Sequence, residues 1–332
     1  VSTEVARPVG ADDAARLLRA ASSVTVLSHV NPDADTIGSA LALALALERA
    51  GIPVRTSFPA PHRLPRSLTL LPGTHLLCPP EEVPADSAVA VAVDCSSSDR
   101  LGELAGVLDS SGTALVVDHH STNTGFGDVA LVDPQAQSTT VIVERILRAW
   151  GTPVDADIAQ CLYAGLVTDT GGLRRADTAS LRLTADLLET GFDGPALLRG
   201  LMDSHPFAWL PMLGTVLARA RLDREAVGGL GMVHTAIHLE DARGVEWEEV
   251  ESVIDIVRTS DEAEVAVVLK ERPSHDGAPH GLWSVSLRSR GTVDVAAVAR
   301  GLGGGGHRAA AGYPAAGSHD DVLAELRAAL GR

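Results

Sequence analysis

A few short stretches hold most of the side chains that could do chemistry. His29-Val30-Asn31-Pro32-Asp33-Ala34-Asp35 sets one imidazole and two carboxylates within a single turn of chain. Asp94 closes an apolar run at residues 88–94. Asp118-His119-His120 closes another at 113–120, and Asp169 closes LYAGLVTD at 162–169. One aspartate after a strand is ordinarily a turn former or a helix cap. A lone histidine is ordinarily a partly buried polar residue. Convergence changes the reading. Four carboxylates gathered with two or three imidazoles repel one another unless a counter-charge is present. Two divalent cations neutralise four carboxylates. Mixed carboxylate and imidazole donors suit Mn²⁺ better than a thiolate-seeking metal, while Zn²⁺, Co²⁺ and Fe²⁺ share the same donors.

These groups converge only if the elements before them lie side by side. VTVLSH (24–29), AVAVAVD (88–94) and TALVVDHH (113–120) are near-continuous apolar runs, as expected of parallel strands buried on both faces. Helical segments are expected at 11–22, 39–50, 137–150, 156–168 and 178–190, so strand and helix alternate in a doubly wound parallel-sheet α/β domain. In such sheets ligands bind at the carboxyl ends of the strands. The run ALALALALER (40–49) alternates like a strand, but Ala and Leu favour helix and β-branched residues are absent. We expect a helix beginning at Gly38-Ser39 and stopping before Gly51 and Pro53. Leu41 and Leu45 share one face and Leu43 and Leu47 lie nearly opposite, so this helix should be buried on two sides. Asp33 and Asp35 would then precede its N-terminus, where the helix dipole favours an anion.

Beyond about residue 223 the texture changes. Strands are expected at 228–239, 263–271 and 282–289, and helices at 292–302 and 318–330, giving a smaller mixed α/β domain. The expected division is 11–195 for the first domain, 196–222 for a helical connector and 223–332 for the second domain. His205 and Trp209 read as packing residues of the connector. GLGGGGHRAAAG (301–312) could be a linker, but its glycines also let backbone N–H groups approach a phosphate closely. Arg288, ending a strand, serves equally as a surface residue or an anion ligand.

Bulk composition limits the partners. The chain has 332 residues, 45% hydrophobic, and a net charge of -16. That charge opposes binding to long nucleic acid, which relies on many Lys/Arg–phosphate contacts. It does not oppose a small anionic substrate if metal ions supply positive charge. Cys78, Cys95 and Cys161 are far apart, which points to a reducing compartment, with Cys95 expected in the core. The first twenty residues lack the basic-then-apolar layout of a signal peptide, and no run approaches the ~20 residues needed to span a bilayer. A cytoplasmic protein without membrane contact is expected.

HVNPDAD, VAVDC (91–95), DHH (118–120) and VTDTG (167–171) occur in the order and approximate spacing of the four motifs of the DHH phosphoesterase superfamily. GGGGHRAAAG (303–312) resembles the signature of its DHH-associated C-terminal domain. The likeness spans nearly the whole chain and is nearest to the nanoRNase and pAp-phosphatase branch, which also contains cyclic dinucleotide phosphodiesterases. The resemblance implies two-metal phosphoester hydrolysis. His29 and Asp33 would hold one ion and Asp35, His119 and Asp169 the other, with Asp94 bridging them. Asp118 would support the histidines, and His120 would meet the scissile phosphate or the leaving group. Gly304, Gly305, Gly306, His307, Arg308 and Arg288 would bind the rest of the substrate. Short 5′-phosphorylated oligonucleotides such as pApA, and 3′-phosphoadenosine 5′-phosphate, are the implied substrates. The resemblance also admits a homodimer. One departure stands out: the family pattern places an aromatic residue where Leu173 follows Gly172, which removes a stacking contact to a base.

Overall fold

The computed structural model describes residues 5–273 and 281–331. The chain divides into two compact units, Val1–Ser204 and His205–Arg332.

The first unit runs β1 (Arg7–Pro8), α1 (Ala11–Ala20), β2 (Val24–Leu27), α2 (Ala34–Arg49), β3 (Val54–Ser57), β4 (Val89–Val93), α3 (Ala105–Ser110), β5 (Ala114–Asp118), β6 (Val129–Val132), α4 (Thr139–Trp150), α5 (Ala156–Asp169), α6 (Thr178–Leu188) and α7 (Gly194–Met202). Its strands form one parallel sheet in the order β1-β6-β5-β4-β2-β3. The three long apolar runs became its central strands β2, β4 and β5. Period-two alternation sends Val24, Val26, Val91, Leu115 and Val117 into one core with α1, α2, α4 and α5. Leu27, Ala90, Ala92 and Val116 enter a second core with Leu104, Leu108 and Cys95. The chain leaves β2 for β3 on one side and returns to β4 on the other. The switch point therefore lies between β2 and β4, where an open α/β sheet forms its ligand crevice.

The Leu/Ala helix α2 is buried from Ala34 through Leu47, as its two apolar faces demand. Its start differs from the sequence expectation. It begins at Ala34, not at Gly38-Ser39, because the Asp33 carboxylate caps it by accepting from the N–H groups of Asp35 and Thr36, each at 3.1 Å. Asp35 consequently sits inside the first turn instead of upstream of it. Gly38 is a contact residue rather than a boundary. A Cβ there would stand 2.4 Å from the Cys161 carbonyl oxygen, so the glycine lets α2 and α5 touch.

The second unit runs α8 (Trp209–Ala218), β7 (Arg221–Asp223), β8 (Met232–Ile237), α9 (Trp247–Val257), β9 (Val265–Arg272), β10 (Leu282–Ser289), α10 (Val295–Gly301), β11 (Gly305–His307), β12 (Ala310–Ala316) and α11 (His319–Leu330). Its mixed sheet has the order β11-β12-β10-β9-β8-β7. One face packs Met232, Val265, Val267, Trp283, Val285 and Leu287 under α10 and α11. The other packs Val233, Ile237, Ala266 and Val268 under α8 and α9. Within 196–222, Leu197 of α7 packs in the first unit's core and Trp209 of α8 in the second's. Trp209 stacks on His205 with ring centroids 4.1 Å apart and donates to the Glu249 carbonyl.

Candidate metal centre

The ends of β2, β4 and β5 deliver His29, Asp94 and Asp118-His119-His120 to one edge of the parallel sheet, and the end of α5 brings Asp169 to the same place. His29 Nε2 lies 3.7 Å from Asp33 Oδ2 and 3.5 Å from Asp94 Oδ2. His119 Nε2 lies 3.6 Å from Asp35 Oδ2, 3.5 Å from Asp94 Oδ1 and 3.4 Å from Asp169 Oδ2. Two clusters result, and Asp94 belongs to both, presenting a different oxygen to each. All six ligand candidates read from the sequence fall in these clusters.

Five of the six ligand candidates are held through the side chain by a second group, Asp33 by the α2 cap already described. The His29 ring is tied through Nδ1 to the Val30 carbonyl at 2.9 Å, and the His119 ring through Nδ1 to the Ala136 carbonyl at 3.2 Å. Both rings thus turn Nε2 inward, an arrangement typical of metal-binding histidines. Asp35 reaches across to the start of α4 and accepts the N–H groups of Thr139 and Thr140 at 2.7 and 2.9 Å. It therefore satisfies backbone donors at a helix N-terminus that is not its own. The Thr139 hydroxyl donates to Asp94 Oδ1 at 2.8 Å. Asp94 itself has φ +57°, in the left-handed region that costs a non-glycine residue energy, a strain characteristic of functional positions. Thr36 donates its hydroxyl to the Val93 carbonyl at 3.1 Å and so ties α2 to the end of β4.

Asp118 is wholly buried and plays a different part. Its Oδ1 accepts from the backbone N–H of His119 at 2.9 Å and bonds His120 Nδ1 at 2.7 Å, and its Oδ2 accepts from Asn123 Nδ2 at 2.7 Å. Nδ1 of His120 is thereby occupied by the Asp118 carboxylate. Asn123, Thr36, Thr139 and Thr140 were missed in the sequence. The only signal for them was local: Ser138-Thr139-Thr140 ahead of an apolar run reads as a helix start, but nothing there shows that Asp35 completes the cap.

The electrostatics test whether cations fit. Burial pushes Asp35 and Asp169 well above the usual carboxylate range, and the neighbouring carboxylates push them further. Burial pulls His29 and His120 down, yet adjacent carboxylates, Asp33 and Asp94 for His29 and Asp118 and Asp94 for His120, outweigh it and raise both to about 9. Asp94 is raised by burial but held below the usual range by the surrounding imidazoles. Without cations, protons must therefore take up the negative charge. Donor atoms about 2.1 Å from a common ion stand about 3.0–3.4 Å apart at octahedral or tetrahedral angles. The observed separations approach that spacing, and the donor set is the one that hard or borderline divalent cations prefer.

In the second unit, Gly304, Gly305, Gly306 and His307 do not form the open loop that their composition suggests. Gly305–His307 is strand β11, paired antiparallel with β12. A Cβ on Gly304 would stand 2.1 Å from the Gly312 carbonyl oxygen and one on Gly306 2.5 Å from that of Ala310. Part of the glycine content is thus explained by hairpin packing. Arg308 is exposed at the turn, and the half-buried Arg288 lies opposite Ala310 in the β10–β12 register. Leu173, where an aromatic was expected, adopts φ +66° and packs against the first unit's core.

Comparison with known proteins agrees with this geometry. The N-terminal domain of the DHH family matches residues 23–166, and the DHHA1 domain matches residues 231–332. A bifunctional oligoribonuclease and PAP phosphatase of Thermus thermophilus is 33% identical over 93% of this chain and 90% of its own length. An exopolyphosphatase-related protein of Bacteroides fragilis shares the fold with a TM-score of 0.84 at 22% identity, over 96% of this chain and 95% of that one. RecJ of Thermus thermophilus, solved with Mn²⁺, shares it more distantly, with a TM-score of 0.53 at 17% identity over 97% of this chain and 55% of that one. The fold and the carboxylate–imidazole centre define an α/β protein of the metal-site hydrolase type, a parallel sheet followed by a mixed one. The chain belongs to the DHH family and carries the DHHA1 domain after its DHH domain.

Among the described residues, no helix is long and apolar enough to cross a membrane.

Proposed function

We propose that this protein is a metal-dependent phosphoesterase that hydrolyses short 5′-phosphorylated oligonucleotides such as pApA, and 3′-phosphoadenosine 5′-phosphate, in the cytoplasm. The observation that carries the reading is Asp94, whose two oxygens face two separate histidine–carboxylate clusters 3.5 Å away on either side. The relationship to an oligoribonuclease and PAP phosphatase along almost the whole chain supports the substrate class. The net charge of -16 supports short substrates over polymers.

His29 and Asp33 would hold one divalent cation and Asp35, His119 and Asp169 the other, with Asp94 shared between them; Mn²⁺ is the ion the donor set favours. When bound, the pair supplies Lewis acidity toward the phosphoryl group and a water activated near neutral pH. The protein's own residues set the geometry. Asp118, itself held by Asn123, fixes the His120 ring, whose Nε2 would face the substrate phosphate. The α4 cap holds Asp35, and Thr139 keeps the Asp94 carboxylate from rotating. In the second unit, Arg288, Arg308 and His307, with the backbone of Gly304, Gly305 and Gly306, bind the remaining phosphate and base.

The direct test is AMP release from pApA by the purified chain with Mn²⁺ and with chelator. Rapid release that chelator abolishes is the expected result. No release from a protein carrying two metal ions would overturn the reading. Faster turnover of cyclic than of linear dinucleotide would move the substrate assignment to a cyclic dinucleotide phosphodiesterase.

A further inference from the structure

The second unit has another basic concavity, at the edge of its sheet opposite the glycine hairpin. Strand β11, which carries the hairpin motif, is one edge of the sheet, and β7 is the other. A cavity of about 440 Å³ opens at the β7 edge, against the first turn of α11. A neighbouring one of about 590 Å³ shares Arg221, His234, His319 and Asp320 with it.

The pairing of β7 with β8 places Arg221 directly opposite His234, so their side chains project from the same face. His234 is only 8% exposed, lines both cavities, and its side chain makes no hydrogen bond among the described residues. Its ring nitrogens are not enclosed and open to the cavity, where an acceptor can reach them. The surrounding charges are unevenly satisfied. Arg219 is held by Asp241 at 2.6 and 3.1 Å, Arg327 by Asp223 at 3.1 Å, and His319 faces Asp320 at 3.1 Å. Arg221 has no carboxylate among the described residues. It donates only through Nη1, to the carbonyls of Arg219 and Ala220, leaving Nε and Nη2 available. At the start of the twelve-residue helix α11 a Ser318–Asp321 capping box satisfies the Ser318 and Asp321 N–H groups, and the N–H groups of His319 and Asp320 remain at the positive end of the dipole, beside the Asp320 and Asp321 carboxylates.

We propose that this edge is a second ligand site, for a phosphate-type oxyanion bound by Arg221, His234 and the N-terminal turn of α11. It is built from residues outside both the metal centre and the glycine motif. In a chain of net charge -16, the basic groups lining this concavity outnumber the Asp223 and Asp320 carboxylates that share it, which favours an anion over a cation. Burial holds the His234 imidazole below its ordinary value, and Arg327 and His319 lower it further. A bound oxyanion would reverse that balance and accept a hydrogen bond from the ring. The same chemistry fits free phosphate or the phosphate of a mononucleotide.

The test follows the His234 ring resonances in the full chain loaded with diamagnetic Mg²⁺, while inorganic phosphate and, separately, AMP are added. The expected result is a saturable movement of the His234 signals and a rise in its titration midpoint. Arg221→Gln should weaken the response about tenfold, the loss expected when one charge-assisted hydrogen bond is removed. Equal responses to the two anions identify free phosphate as sufficient, and a tighter response to AMP identifies a nucleotide site. A His234 signal that neither anion moves, or one that moves identically in Arg221→Gln, overturns the proposal.

Discussion

The two sheets of this protein handle buried charge in opposite ways. At the carboxyl edge of the first, Asp33, Asp35, Asp94 and Asp169 are packed together with His29 and His119, and the carboxylates repel one another. In the second, the buried Lys270 is matched locally by Glu251 and by the Ser286 hydroxyl at 2.7 Å. The Lys270 arrangement is complete as it stands, because that charge has its partners within the fold. The first is not, and the missing charge must come from outside. Burial alone therefore does not mark a functional site. A buried cluster with an excess of one sign, held in place by caps and backbone bonds, does.

The sharpest way to break this contrast is to change the residue common to both clusters. Asp94→Asn keeps the shape, tolerates the positive φ and retains an acceptor for Thr139. Turnover of pApA should nevertheless fall by about 10³-fold or more, while the thermal midpoint stays level or rises. Near-normal turnover in that variant would remove the bridging role. Asp118→Asn should act next most strongly. Loss of the carboxylate frees the His120 ring, and kcat should drop about 10- to 100-fold with metal content unchanged.

Packing offers a third lever. A Cβ on Gly165 would stand 2.6 Å from Asp35 Oδ1, so Gly165→Ala should displace that carboxylate. We expect a loss of about 1–3 kcal/mol in stability together with weaker metal binding. An alanine variant with unchanged metal affinity would show that Asp35 is held less tightly than its α4 bonds imply.

The pH dependence of the metal-free protein sharpens the comparison. His29 and His120 are raised to about 9, and Asp35 and Asp169 are raised as well. The folded state then binds more protons than the unfolded chain, so stability must fall as pH rises. The imidazole contribution is fully present below the ordinary histidine pKa of about 6.5 and is lost as pH passes through about 9. Denaturant titrations from pH 6 to pH 10, conditions chosen to span roughly that window, should show the decline without metal and a flatter profile with saturating Mn²⁺. A metal-free protein whose stability is constant across that range would contradict the charge balance described here. The smallest effect is expected from Arg308→Gln, which should raise KM about tenfold and leave kcat nearly unchanged.

Much of the centre was legible in the sequence because strands carry position. Once 24–29, 88–94 and 113–120 are parallel neighbours, the residues that end them must meet. Asp94 and the Asp118-His119-His120 triplet needed no further information. The start of α2 was not legible in the same way. Gly38-Ser39 looks like a boundary, but the Asp33 cap, which also positions a ligand, lies five residues earlier. The supporting bonds from Thr139, Thr140 and Asn123 join residues far apart in sequence, so local pattern does not reveal them. The glycine motif showed the converse error. Its composition suggested a loop, whereas close backbone approach inside a hairpin is what excludes side chains at Gly304 and Gly306.

The central claim is that one carboxylate joins two cation sites. The most direct measurement is the number and position of bound Mn²⁺ ions by anomalous diffraction, in the unaltered protein and in Asp94→Asn. The account predicts two ions, one against His29 and Asp33 and one against Asp35, His119 and Asp169, with occupancy of at least one falling sharply in the variant. A single ion in the unaltered protein, or two ions that the variant retains in full, would contradict it.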